Sequence, residues 1–319
     1  MAPRLTILDD YQRVALAMAD WSEVAARYEI EVLTEHIADT DELVQRLASS
    51  EVVVAMRERT PFGEAVLAAL PALRLLVTTA MGNRSIDLEA ARRLGIVVSG
   101  TEGRGSGMPE ITIGMMIAVS RHFVEEDRAM RAGGWQHTVG TGLAGRTLGL
   151  VGAGRIGREV ARLARAFSME VIAWSPHLTA ERAGESGIEF ATKAELFSRS
   201  DFVSIHMVLS ESTRGLVGPE DLARMGSHAY LVNTSRGPLV DELALIDVLE
   251  RRAIAGAALD VYDVEPLPAA HPLRSLRNTL LLPHIGYVTA ENYEVFYGGV
   301  VEDILAFADG SPVRVLNAR

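Results

Sequence analysis

Short apolar runs and longer helix-period patterns alternate along most of this chain. Residues 5–8, 31–33, 52–55, 75–78 and 96–98 read as strands. Between them, 11–19, 40–47 and 87–94 carry helical spacing. Thr40 is the expected N-cap of the second helix, with Asp41 and Glu42 in its first turn, and Gly95 stops the third. Strand–helix alternation of this kind predicts a parallel sheet. Residues 100–107 are glycine-rich and polar and read as a linker. Pro109 then opens a helix to about Ser120 that is apolar on nearly every face, as in a buried helix or a subunit interface.

From Gly145 the alternation resumes. Strands are expected at 148–151, 170–174, 202–205, 230–233, within 254–261 and at 279–282, with helices such as 156–167 and 241–252 between them. Six strands make a second doubly wound sheet. A last helix, 290–308, follows the final strand and is expected to pack back on the first region. The fold class is therefore α/β, with two doubly wound parallel-sheet lobes.

The first strand of the second sheet runs directly into Gly152-Ala-Gly-Arg-Ile-Gly157 and then a helix. In this context the glycine spacing points to dinucleotide binding. Gly152 permits a tight turn, Gly154 admits a pyrophosphate to the backbone, and Gly157 allows close helix–strand packing. The helix start, Arg155 and Ile156, offers N–H groups to the phosphates. No such loop occurs in the first hundred residues, so that region is the better substrate domain.

Composition narrows the possibilities. The 319 residues are 48% hydrophobic and 23% charged, within the range of globular proteins. The net charge of −11 argues against binding nucleic acid or an anionic membrane surface. With no cysteine, thiol nucleophiles, disulfides and cysteine metal sites are excluded. The eight histidines show no metal-binding spacing, so no metal is expected. Lys193 is the only lysine, which confines Schiff-base chemistry to that position. No leader and no membrane span are legible, and a cytoplasmic location is expected.

Ligands of open α/β sheets bind beyond the carboxyl ends of the strands. Three late strands of the second lobe end in chemistry-bearing residues: Arg236, then Asp260, Asp263 and Glu265, then His284. An arginine, a carboxylate and a histidine thus emerge at one sheet edge beside a dinucleotide loop. Histidine can donate a proton near neutral pH. A paired Glu265 favours the imidazolium and fixes the ring. Arg236 can hold a carboxylate and a keto oxygen.

The stretches 145–157, 209–216, 231–241, 257–267 and 282–286 together resemble the D-isomer-specific 2-hydroxyacid dehydrogenase family. The resemblance implies a Rossmann cofactor domain, 101–287, and a flavodoxin-like substrate domain, 1–100 with 288–319, with a cleft between them. It assigns catalysis to Arg236, Glu265 and His284. Cofactor binding falls to Gly152, Gly154, Arg155, Ile156, Gly157, Ser175, Thr234 and Asp260, the last fixing the carboxamide. Asp263 is the competing carboxylate and falls outside the motif, since Glu265 precedes Pro266. The backbone of Met81 and Gly82 is expected to bind the substrate carboxylate. Here the chain departs from the family: Ala80 stands where glycine is common, and Asn83-Arg84 is unusual. Arg57, after a strand, is a further candidate for lining the cleft. The apolar stretch 111–119 fits the family's dimer helix, so a homodimer is expected.

The implied activity interconverts a small 2-oxo acid, such as glyoxylate or hydroxypyruvate, and its D-2-hydroxy acid. Two alternatives are a cofactor-sensing protein resembling the C-terminal-binding-protein corepressors and a phosphoglycerate dehydrogenase. With the sequence ending at Arg319, the latter's regulatory domain is not expected. The cofactor is NADP or NAD. NAD-selective folds place an acidic residue roughly 20 residues past the glycines. Ser175-Pro-His-Leu-Thr179 holds no carboxylate, which favours NADP. No arginine follows Ser175 directly, and Arg182 stands seven positions on.

Overall fold

The computed structural model describes residues 2–105 and 107–318. The chain divides into two units, 1–105 with 288–319, and 106–287. One residue of the expected 100–107 linker, Ser106, lies outside the described residues.

The first unit is built on five parallel strands: β1 (Arg4–Ile7), β2 (Glu29–Val32), β3 (Ser50–Ala55), β4 (Leu75–Thr78) and β5 (Val97–Gly100). Their order, β2-β1-β3-β4-β5, is the flavodoxin-like doubly wound arrangement. Helices cover both faces, so the strands are near-continuous apolar runs. On one face Val53, Leu76 and Val98 meet Leu43, Leu67 and Ala90 from the helices Thr40–Leu47, Glu64–Ala68 and Leu88–Arg93. The helix Ala290–Ala308 packs against β4 and β5 and buries Tyr293, Phe296, Tyr297, Val300 and Ile304. The tail continues alongside β5, where Leu316 N–H donates to the Val98 carbonyl.

Two local expectations are corrected here. Residues 11–19 form only one 3-10 turn, Ala15–Ala17. The Asp10 carboxylate accepts the Val14 and Ala15 amides at 3.0 Å, pinning a compact loop instead of starting a helix. The helix Thr40–Leu47 is capped by Asp39, whose side chain accepts the Glu42 amide, so Thr40 is its first helical residue.

The second unit holds seven parallel strands: β6 (Thr147–Val151), β7 (Glu170–Trp174), β8 (Glu189–Phe190), β9 (Phe202–Ile205), β10 (Tyr230–Asn233), β11 (Gly256–Leu259) and β12 (Thr279–Leu281). The order β12-β11-β10-β9-β6-β7-β8 is the Rossmann arrangement extended by one strand. The expected count of six missed β8. Its two residues are both exposed and carry no apolar run. Apolar clusters fill both faces of this sheet. The helix Gly107–Ser120 contributes Ile113, Met115, Met116 and Val119 to one of them, which accounts for much of its apolar character within its own unit.

Candidate active site

The glycine loop leaves β6 and enters the helix Arg155–Ala166. Gly152 has φ +104°, and a Cβ there would lie 2.5 Å from the His206 carbonyl oxygen. Only glycine satisfies both conditions. A Cβ at Gly157 would collide with the Gly152 carbonyl, so the helix seats directly on the turn. Gly154 is the helix N-cap; it is exposed, makes no side-chain cap bond, and has open space around it. Arg155 is exposed and Ile156 half-buried at this start. The loop thus has the shape and the N–H groups that a pyrophosphate requires, and these residues fit a dinucleotide.

Three adjacent strand ends carry the remaining chemistry. After β10, the buried Asn233 side chain accepts the Ser235 amide at 3.0 Å and donates to the Arg236 carbonyl at 2.9 Å. Ser235 Oγ donates to the Ile205 carbonyl at 2.7 Å, tying this turn to β9. Arg236 Nη1 donates to the Ser235 carbonyl at 2.7 Å. Gly237 follows, and a Cβ there would collide with the Tyr262 carbonyl, so the loops after β10 and β11 are in backbone contact. Thr234 is buried, with its hydroxyl 3.1 Å from that of Thr112.

After β11, Asp260 is fully buried and accepts the amides of Ile285 and Gly286 at 2.7 and 2.8 Å. Burial raises its pKa above the ordinary carboxylate value, while these two amides oppose the shift. Both oxygens therefore face the turn that carries His284, which itself adopts φ +54°. Glu265 Oε1 accepts the Tyr262 amide at 2.9 Å. Its Oε2 accepts from His284 Nδ1 at 2.6 Å. Tyr262 Oη donates to the Leu282 carbonyl at 2.9 Å, so one residue ties Glu265 to the segment that leads into His284. Asp263 is excluded from this chain of contacts; its pKa is raised by burial and by the nearby Glu242.

With Nδ1 directed at a carboxylate, His284 keeps Nε2 for a reacting group. An imidazolium held this way can give one proton and recover it. Arg236 supplies a planar fork of donors from the neighbouring strand.

One residue at this sheet edge was not singled out from the sequence. His206 directly follows β9, with Nε2 2.9 Å from Ser204 Oγ. Burial lowers its pKa to about 4, so the ring is neutral at ordinary pH. Its position at a strand end was the available signal.

In the first unit, Met81 and Gly82 lie exposed in the loop after β4. Ala80 has φ +76°, the backbone region that glycine adopts without cost. Its amide donates to Thr101 Oγ1 at 2.9 Å. The buried Asn83 donates to the Arg57 carbonyl and to Thr78 Oγ1, at 2.5 and 2.9 Å, fastening the loops after β3 and β4 together. Arg57 is half-buried with φ +54°, and Arg84 is exposed.

Residues 113–286 match the D-isomer specific 2-hydroxyacid dehydrogenase NAD binding domain. The glyoxylate reductase of Korarchaeum cryptofilum is 36% identical over 294 residues, covering 90% of this chain and 85% of that protein. The hydroxypyruvate reductase of Thermotoga maritima is 36% identical over 268 residues, 82% and 86% of the two chains. The crystal structure of a phosphoglycerate oxidoreductase from Vibrio cholerae superposes with a TM-score of 0.91 at 35% identity, covering 96% of this chain and 99% of that one. The chain belongs to the D-isomer specific 2-hydroxyacid dehydrogenases, NAD(P)-dependent oxidoreductases of 2-oxo and 2-hydroxy acids.

Proposed function

We propose that this protein reduces a small 2-oxo acid of the glyoxylate or hydroxypyruvate type to its D-2-hydroxy acid, with His284 as the proton donor. The observation that carries this reading is the 2.6 Å contact between His284 and Glu265 at the strand ends beside Arg236. The glycine loop of Gly152, Gly154 and Gly157 would hold a reduced nicotinamide dinucleotide, which would supply the hydride. His284 Nε2 gives its proton to the keto oxygen, leaving a neutral ring that is recharged from solvent. Glu265 holds the ring by Nδ1. Arg236 binds the substrate carboxylate and lowers the cost of charge developing on the keto oxygen. The family resemblance assigns a second anchor for that carboxylate to the amides of Met81 and Gly82. Asp260 acts through the His284–Gly286 turn, which both its oxygens hold.

NADP is the favoured cofactor in this reading, since no carboxylate stands between Ser175 and Thr179 to repel a 2′-phosphate. We also propose a homodimer. No residue of the helix Phe123–Arg131 is fully buried. With the loop after it, it displays Phe123, Val124, Met130, Trp135 and Val139, the last two being 72% and 96% exposed. An apolar group of this kind suits a two-fold contact with a second copy.

Oxidation of NADPH and NADH, followed with a panel of 2-oxo acids, tests the activity. Turnover of glyoxylate or hydroxypyruvate is expected. No turnover of any 2-oxo acid with either cofactor contradicts it.

A further inference from the structure

The loop after β7 contains a cation that its sequence position conceals. Leu178 N–H donates to the Ser175 carbonyl at 3.1 Å, closing a turn with Pro176 at its second position. This turn lies next to the glycine loop, because Gly152 N–H donates to the carbonyl of Trp174, the last residue of β7, at 2.8 Å. Thr179 then caps the short helix Ala180–Gly184 by accepting the Arg182 amide. The Arg182 side chain folds back over this cap, and its Nη1 donates to the His177 carbonyl at 3.1 Å. Its guanidinium therefore lies on the turn that ends the second strand of the Rossmann sheet, seven residues after Ser175 in sequence.

Arg146, Arg162 and Arg199 of the same unit are each paired to a carboxylate, namely Asp201, Glu159 and Glu189. Among the described residues Arg182 has no such pairing. A carbonyl orients the group without cancelling its charge. Glu181 and Glu185 flank it in sequence on the same short segment, and both are exposed. In a Rossmann sheet the end of the second strand is where the adenosine ribose is read. An acid there binds the ribose hydroxyls, whereas a guanidinium there favours a phosphate.

We propose that Arg182 is the residue that discriminates at the ribose 2′-position, so that the turn 175–178 accepts the 2′-phosphate of NADP. This rests on the reading of the chain as an NAD(P)-dependent enzyme. Ser175 and the His177 ring complete a polar turn without a carboxylate. The charge comes from Arg182, held by the His177 backbone.

The test is direct binding to the full chain without substrate, using nicotinamide fluorescence for NADPH and NADH. Displacement by adenosine 2′,5′-bisphosphate and by 5′-AMP isolates the ribose end. Arg182→Ala is expected to weaken NADPH and the bisphosphate by about tenfold or more, the scale of a lost charge-assisted contact. NADH and 5′-AMP are expected to change by less than about threefold, and Arg182→Lys to recover part of the loss. Ser175→Asp is expected to move the preference towards NADH. Equal weakening of both cofactors by Arg182→Ala, or no change in either, overturns the assignment and makes Arg182 a loop-fastening residue only. Wild-type protein that binds NADH but not NADPH overturns it too, while leaving the dehydrogenase reading intact. Protein that binds neither dinucleotide overturns that underlying reading.

Discussion

Asp260 holds Gly286 by its amide at 2.8 Å, while its other oxygen takes the Ile285 amide at 2.7 Å. A buried carboxylate at the end of one strand thus fixes the turn that leaves the next. Asn in its place offers one acceptor and one donor where two acceptors are needed. Asp260→Asn is expected to destabilise the fold by about 1–3 kcal/mol, the cost of an unsatisfied buried group, and to lower kcat. Urea unfolding checks the first effect and steady-state rates the second. Unchanged stability and rate would show that the turn needs no such fastening.

Glu265→Gln probes the same turn from its side chain. The amide can still accept from Tyr262 N–H, but it presents N–H towards His284 Nδ1. The ring must then accept at Nδ1 and cannot remain doubly protonated there. The rate of 2-oxo acid reduction is expected to fall at least about tenfold with cofactor affinity retained. Single-turnover kinetics alongside cofactor titration separates the two.

Asp303, buried on the tail helix, predicts a pH-dependent stability. Arg314 Nε donates to one of its oxygens at 3.0 Å, and the other has no partner among the described residues. Burial outweighs Arg314 and raises its pKa from the usual 3.8 to about 7. Between those values the folded state keeps a proton that the unfolded chain has lost. The stability this proton confers is fully present below the unfolded pKa and is lost as pH rises through the folded one. The melting temperature should therefore fall between about pH 4 and 7 and level off above that, and less steeply in Asp303→Asn. Parallel melting curves for the two proteins across this window would remove Asp303 as the cause.

Light scattering at micromolar concentration tests assembly. About twice the 34.5 kDa chain mass is expected, and a Trp135→Glu, Val139→Asp double variant should shift the protein towards monomer. A monomeric wild type contradicts the two-fold contact.

The sequence showed much of this fold because buried parallel strands are written as unbroken apolar runs. Leu75–Thr78, Phe202–Ile205 and Tyr230–Asn233 were legible to the residue. Glu189–Phe190 was not, since an exposed two-residue edge strand carries no such signal. Around Ala15–Ala17 helix-like spacing predicts a longer helix, because spacing does not reveal that Asp10 binds the local amides. At the candidate site, Arg236, Glu265 and His284 were marked by strand-end position. The grip of Tyr262 on both Glu265 and Leu282 was not, because it depends on how two loops pack. Arg182 stands seven residues after Ser175, and only a side chain folded over a helix cap brings it to the turn.

The central claim is that His284 delivers the proton in reduction of a 2-oxo acid. It is tested most directly by comparing wild type and His284→Ala in glyoxylate and hydroxypyruvate reduction, with cofactor binding measured in the same preparations. Turnover by the wild type, a loss of about a hundredfold or more in the variant, and nearly equal cofactor affinity are expected. A variant that reduces these substrates at the wild-type rate would contradict it.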